Sequence, residues 1–88
     1  MSELIQILKE AQEHYEFEML DFKFSQEAEN KGDSIIQNLH WASSQYESGK
    51  VFGLLKAYEI MTGRKIFGWQ IKKEIEYMQD RVFFGDMI

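Results

Sequence analysis

Apolar positions recur at helical spacing along nearly the whole chain. Leu4, Leu8, Ala11, Tyr15, Met19 and Phe22 follow one another at intervals of four, three, four, four and three. That is one stripe along an α-helix. Ser2 suits the N-cap, and Glu3 places a negative charge in the first turn. Gly32, after Lys31, is a natural stop, so the pattern predicts a helix from about residue 3 to 31. Within it, "HYEFEMLDFKFSQEA" imitates a strand at Tyr15, Phe17 and Met19. The alternation breaks phase at Leu20, and no turn dipeptide divides the stretch. As a helix it carries a second apolar row, Phe17, Leu20, Phe24 and Ala28, opposite the first. A helix apolar on two sides needs cover on both. Three large side chains exposed together are unusual in a monomer, so Phe17, Leu20 and Phe24 are expected to mediate self-association.

The second segment opens with Asp33 and Ser34. "SIIQ" at 34–37 fits a capping box with Ser34 as N-cap and Gln37 at N3. Ile35, Leu39, Ala42, Tyr46, Gly49, Gly53, Ala57 and Ile60 share one face if a single helix runs to Thr62 and ends at Gly63. A break near Gly49 would give two helices instead, 34–48 and 50–62; the continuous helix is preferred. Each interior glycine costs about 1 kcal/mol relative to alanine. Gly49 and Gly53 are therefore assigned a purpose: letting another backbone approach closely, as part of the self-association surface.

The third segment carries Phe67, Ile71, Ile75, Met78 and Val82 at helical spacing. Gly68 interrupts its start, and no good N-cap precedes it. Arg64, Lys65, Lys72 and Lys73 crowd its N-terminal half, the unfavourable end for cations. An acidic neighbour, the first helix, is expected to offset them. The tail Phe83-Phe84-Gly85-Asp86-Met87-Ile88 is expected to dock rather than fray. The fold class is all-α: one domain, 1–88, a small bundle of three long helices (four if the second breaks near Gly49), with no sheet. The complete lack of proline favours this.

Composition narrows the picture. A chain of 88 residues buries only about 60–65 per cent of its unfolded surface, so its core is marginal without good packing or partners. The 44 per cent hydrophobic content is too high for disorder. There is no cysteine, hence no disulfide or thiolate metal site. No secretory pattern and no apolar run of about 18 residues is present, so a soluble cytoplasmic protein without membrane contact is expected.

The net charge of −5 is uneven. Residues 1–33 hold nine acids against three lysines, a balance of −6, whereas residues 34–88 hold six acids against seven bases, a balance of +1. A negative surface disfavours non-specific binding to nucleic acid and anionic lipid. The same rows of carboxylates suit the basic groove of a nucleic-acid-binding protein.

Candidate chemistry is sparse. Glu10, His14 and Glu18 line one helical strip, but bundle metal sites use Glu-x-x-His pairs. The residues three before His14 and His40 are Ala11 and Gln37. The strip is read as a solvated acidic face, with no metal and no cofactor. His40 lies near Ser43 and Ser44 without a Gly-x-Ser-x-Gly elbow, and is read as a packed or capped helix residue. "GRKIFG" lacks the Gly-Lys-Ser/Thr ending of a phosphate loop. No catalytic residues are assigned and no enzyme is expected. The preferred function is a non-catalytic acidic interaction protein. It self-associates, most simply as a dimer, and binds another protein, with inhibition of that partner as one outcome. The alternative is an oligomer that binds nucleotide or nucleic acid through Arg64, Lys65, Lys72 and Lys73, with Trp69 as a stacking platform.

Overall fold

The computed structural model describes residues 2–81. Its helices are α1 (Ser2–Asn30), α2 (Ser34–Thr62) and α3 (Ile71–Asp80), the last preceded by one 3-10 turn, Gly68–Gln70. There is no strand among the described residues. The fold is a small all-α bundle, as the spacing predicts. Val82 and the apolar tail 83–88 lie outside the described residues.

The turn between α1 and α2 is only three residues long, because both helix ends are satisfied within it. Gly32 takes the left-handed conformation, φ 76°. Its N–H donates to the Glu29 carbonyl at 3.0 Å, and the Asp33 N–H reaches back to the Ala28 carbonyl at 2.9 Å. This pair of bonds is the Schellman closure. Asp33 then caps α2, its Oδ1 accepting the Ile36 N–H at 3.1 Å. Ser34, expected as N-cap, is instead the first helical residue. The carboxylate one residue earlier takes the cap because the chain emerges from the Schellman turn at Asp33. The connection forces α1 and α2 into an antiparallel hairpin.

Helix α2 runs unbroken through Gly49 and Gly53 to Thr62, and Gly63 ends it at φ 74° with its N–H on the Glu59 carbonyl at 2.7 Å. The helix is continuous through both interior glycines, and a Cβ on either would meet no neighbour within 4 Å. The start of α3, for which no cap is legible, is fixed by the Gln70 side chain. Its Oε1 accepts the Phe67 N–H at 2.9 Å, half of a capping box without a polar N-cap. Gly68 is needed there: a Cβ at this position would lie 2.5 Å from the Tyr15 ring.

The core lies at one end of the hairpin, where α3 packs. It holds Leu8, Ala11, Val51, Leu55, Tyr58, Ile71 and Met78. We call this end the base, and the remainder, out to the Gly32 turn, the arm. The molecule measures 58 × 19 × 16 Å with a radius of gyration of 16.1 Å. A compact chain of this length would have a radius near 12 Å. The arm accounts for the excess.

Candidate functional site

The arm reverses the usual arrangement of a helical hairpin. On α1, the residues that face α2 are Ile7, Ala11, His14, Glu18, Asp21, Ser25 and Ala28, spaced alternately four and three. That is the period of a two-helix seam. From His14 onward, all but Ala28 are polar. The His14 Nδ1 pairs with the Glu47 carboxylate. Asp21 accepts from both the His40 Nδ1 at 3.0 Å and the Ser43 hydroxyl at 2.6 Å. Nearer the turn, the Ser25 hydroxyl donates to the Gln37 carbonyl at 3.2 Å. No buried side-chain polar atom among the described residues lacks a partner. The seam is therefore satisfied, as buried polar groups must be.

The large apolar residues of the arm are on the outside. Phe17 is 50% exposed, Leu20 47% and Phe24 39%. Met19 and Phe22 are exposed too. They belong to the stripe expected to continue inward from Leu8; that stripe lies to one side of the α2-facing seam, and α3 with the turn before it covers it only at Leu8 and Tyr15. The face of α2 built from Ile35, Leu39, Ala42, Tyr46, Gly49, Gly53 and Ile60 also points to solvent; the buried positions are Ser44, Val51, Leu55 and Tyr58. Gly49 and Gly53 are exposed, and a Cβ on either would have open space. No segment of this chain among the described residues uses the close approach they permit.

Two flanks result, one on each side of the plane of the hairpin. On one, the Phe24 ring lies 5.3 Å from the His40 ring, centroid to centroid. Phe24, Ala28, Ile36 and His40 line a shallow hollow there. Phe17, Leu20 and Phe24 follow at spacings of three and four, as do Ile36, Leu39, Ser43 and Tyr46 on α2; Leu20 is turned outward and also borders a second groove, with Met19, Trp69 and Lys72. The other flank carries α3 at its base. An open groove of about 270 Å³ lies between the hairpin and the link that leads to α3, with Tyr15, Val51, Phe52, Leu55, Ile66 and Phe67 among its walls.

The basic cluster is divided. Arg64 was expected to answer the acidic first helix, but its partner is Glu74 of α3. Its Nε and Nη2 donate to the two carboxylate oxygens at 2.6 and 2.9 Å. Glu74 is buried and also accepts the Tyr58 hydroxyl. Arg64 lies 4.3 Å over the Tyr77 ring as well. This pairing holds the Glu74 carboxyl below its usual range, chiefly through the Arg64 hydrogen bonds. Burial, then Glu74, pushes the Tyr58 phenol up. Arg64 thus serves the fold. Lys65, Lys72 and Lys73 are exposed and form no ion pair among the described residues. Trp69 is 72% exposed and stacks on Phe67 at 6.3 Å, with planes 7° apart.

The polar seam is what sequence reasoning missed. The strip through His14 and Glu18, read as a solvated acidic face, instead faces α2; His14 is 33% exposed and Glu47 16%. The alternating four-three spacing from Ile7 to Ala28 was the signal. His40 is packed, as expected, but against Asp21 and Phe24. Among the described residues, no group of three or more histidine or acidic side chains is placed to hold a metal ion. No described helix is long and apolar enough to cross a membrane.

The seam carries an acid dependence. The Ser43 hydroxyl and then His40 hold the Asp21 carboxyl below its usual value. A carboxyl whose folded pKa is depressed contributes stability that is full above its unfolded pKa, about 3.9, and lost as the pH falls through the folded value. Thermal unfolding between pH 6 and 3 is therefore expected to fall less steeply for Asp21→Asn than for the native chain. Equal slopes would mean that Asp21 is not held by this network.

No family model, curated protein or solved structure matches the chain, so its function is argued from this geometry alone.

Proposed function

We propose that the protein is a non-catalytic helical interaction module that self-associates through the arm of its hairpin and binds a second macromolecule. The observation that carries this is the inversion of the arm: a hydrogen-bonded polar seam inside, and Phe17, Leu20 and Phe24 at 50, 47 and 39% exposure outside. Burial of such side chains stabilises by about 1.5–3 kcal/mol each, and the arm forgoes that in the single chain. Contiguous exposed apolar surface of this extent marks an interaction site. The acidic first helix, −6 over residues 1–33, suits a basic macromolecular partner. Action inside the cell and inhibition of that partner belong to the same proposal.

Sedimentation equilibrium over a micromolar concentration series tests the self-association. The native chain is expected to be a dimer, and Phe17→Glu with Phe24→Glu to be a monomer of unchanged helicity, because neither ring belongs to the base core. A native chain that stays monomeric throughout removes the reading.

A further inference from the structure

The flank that bears Phe17 and Phe24 has a symmetry of its own. Positions seven apart on a helix share a side. Glu10, Phe17, Phe24 and Lys31 are such a set, acid, ring, ring and base in order. Glu10 with Lys31, and Phe17 with Phe24, share one midpoint, between Leu20 and Asp21. Turned end for end, the row places base on acid and ring on ring. Lys31 and Glu10 are both exposed, and Lys31 has no ion pair among the described residues.

We propose that two copies pair through this flank with their α1 helices antiparallel, Phe17 against the partner's Phe24 and Glu10 against the partner's Lys31. This inference rests on the self-association reading and specifies its geometry. A two-fold axis across the arm, beside Leu20, stacks one hairpin on the other as a four-helix bundle. The bases then point in opposite directions, and α3, which lies on the other flank, does not interfere. Such a contact is isologous and closes at two copies.

Area and charge both support a second copy as the occupant. Phe17, Leu20, Phe24, Ile36, Leu39 and Tyr46 are between 39 and 62% exposed. At roughly 200 Å² per large side chain, they offer about 600 Å² of apolar surface per copy. A stable interface buries about 800 Å² per partner, so this patch would form most of one. Glu10 and Lys31 lie 21 residues apart, about 31 Å along the helix, so the two pairs bracket the apolar patch at its ends. Glu13 and Glu27 are exposed on the same side of α1, and Glu27 lines the hollow together with Lys31.

The chain has no cysteine, so single cysteines report position directly. Leu20→Cys, beside the axis, is expected to link dimers with a short bismaleimide. Ile60→Cys, near the base, is not, because the two copies of Ile60 would stand nearly 60 Å apart at 1.5 Å per residue. A parallel pairing would set every residue level with its own copy, so Ile60→Cys would link as well as Leu20→Cys. Charge reversal is the second arm of the test. Glu10→Lys and Lys31→Glu are each expected to weaken dimerisation about two- to tenfold, and the double reversal to restore it. A dimer that links at Ile60, or a double reversal weaker than both single ones, overturns the antiparallel register while leaving self-association intact. A chain that never dimerises overturns the self-association reading itself.

Discussion

Arg64→Met is expected to destabilise the folded chain by about 2–3 kcal/mol. Glu74 is only 5% exposed, and Arg64 supplies two of its three hydrogen bonds. Removing one partner of a buried pair costs roughly 3–5 kcal/mol, because the remaining charge is left without compensation. The Arg64 side chain is 42% exposed, so water can reach part of the vacated space and the cost falls at or below the lower end of that range. For a domain of this size the melting temperature should fall by about 10–20 °C. Adding Glu74→Gln should return most of the loss. A neutral amide needs no counter-charge, and its oxygen still accepts the Tyr58 hydroxyl. A single variant that melts within about 3 °C of the native chain would show that Glu74 is hydrated rather than held. Arg64 also ties the end of α2 to α3: its backbone N–H donates to the Thr62 hydroxyl at 3.1 Å while its side chain holds Glu74. The loss should thus appear as detachment of α3 from the hairpin.

Leu8→Ala is the other large effect, about 2–5 kcal/mol. Leu8 is fully buried among Val51, Leu55, Tyr58, Ile71 and Met78, and truncation leaves a cavity that three helices would have to close. Small domains have about 0.05–0.15 kcal/mol of stability per residue. The upper range of the loss would therefore unfold much of the population. Leu20→Ala, in the monomeric Phe17→Glu and Phe24→Glu background, should cost under about 1 kcal/mol, because Leu20 is already half exposed. Urea unfolding followed by circular dichroism separates the two. Equal losses at positions 8 and 20 would mean that stability is spread evenly along the hairpin. In the structure it is concentrated at the base.

The helices were legible because their ends are local. Gly32 and Gly63 stop α1 and α2 through left-handed geometry that other residues resist, and the absence of proline leaves 29-residue runs uninterrupted. The faces were less legible. Hydrophobic periodicity assumes that apolar residues point inward. That holds at Leu8 and Ala11 and fails at Met19, Phe22, Leu39 and Tyr46. The two-sided character of α1 was visible in Phe17, Leu20 and Phe24. What fills the space between the helices was not, because His14, Asp21 and His40 resemble surface residues until the hairpin brings their partners to them. The role of Arg64 was hidden for the same reason. Glu74 is ten residues away, too far for a helical pair, and meets Arg64 only once the link has turned.

The one-ended core has a kinetic corollary. The Gly32 turn could zip the hairpin from its tip, but the first contacts made that way are between polar groups that gain little until water is excluded. The apolar reward comes only when Leu8 and Ala11 meet Val51, Leu55 and Tyr58, across an arc of some forty residues, and the entropy of closing that arc must be met first. A helical protein with mostly neighbouring contacts would ordinarily collapse in microseconds to milliseconds. This chain should be slower than its helix content suggests, and on the ribosome its first helix must wait for the second half of α2 before it has anything apolar to hold.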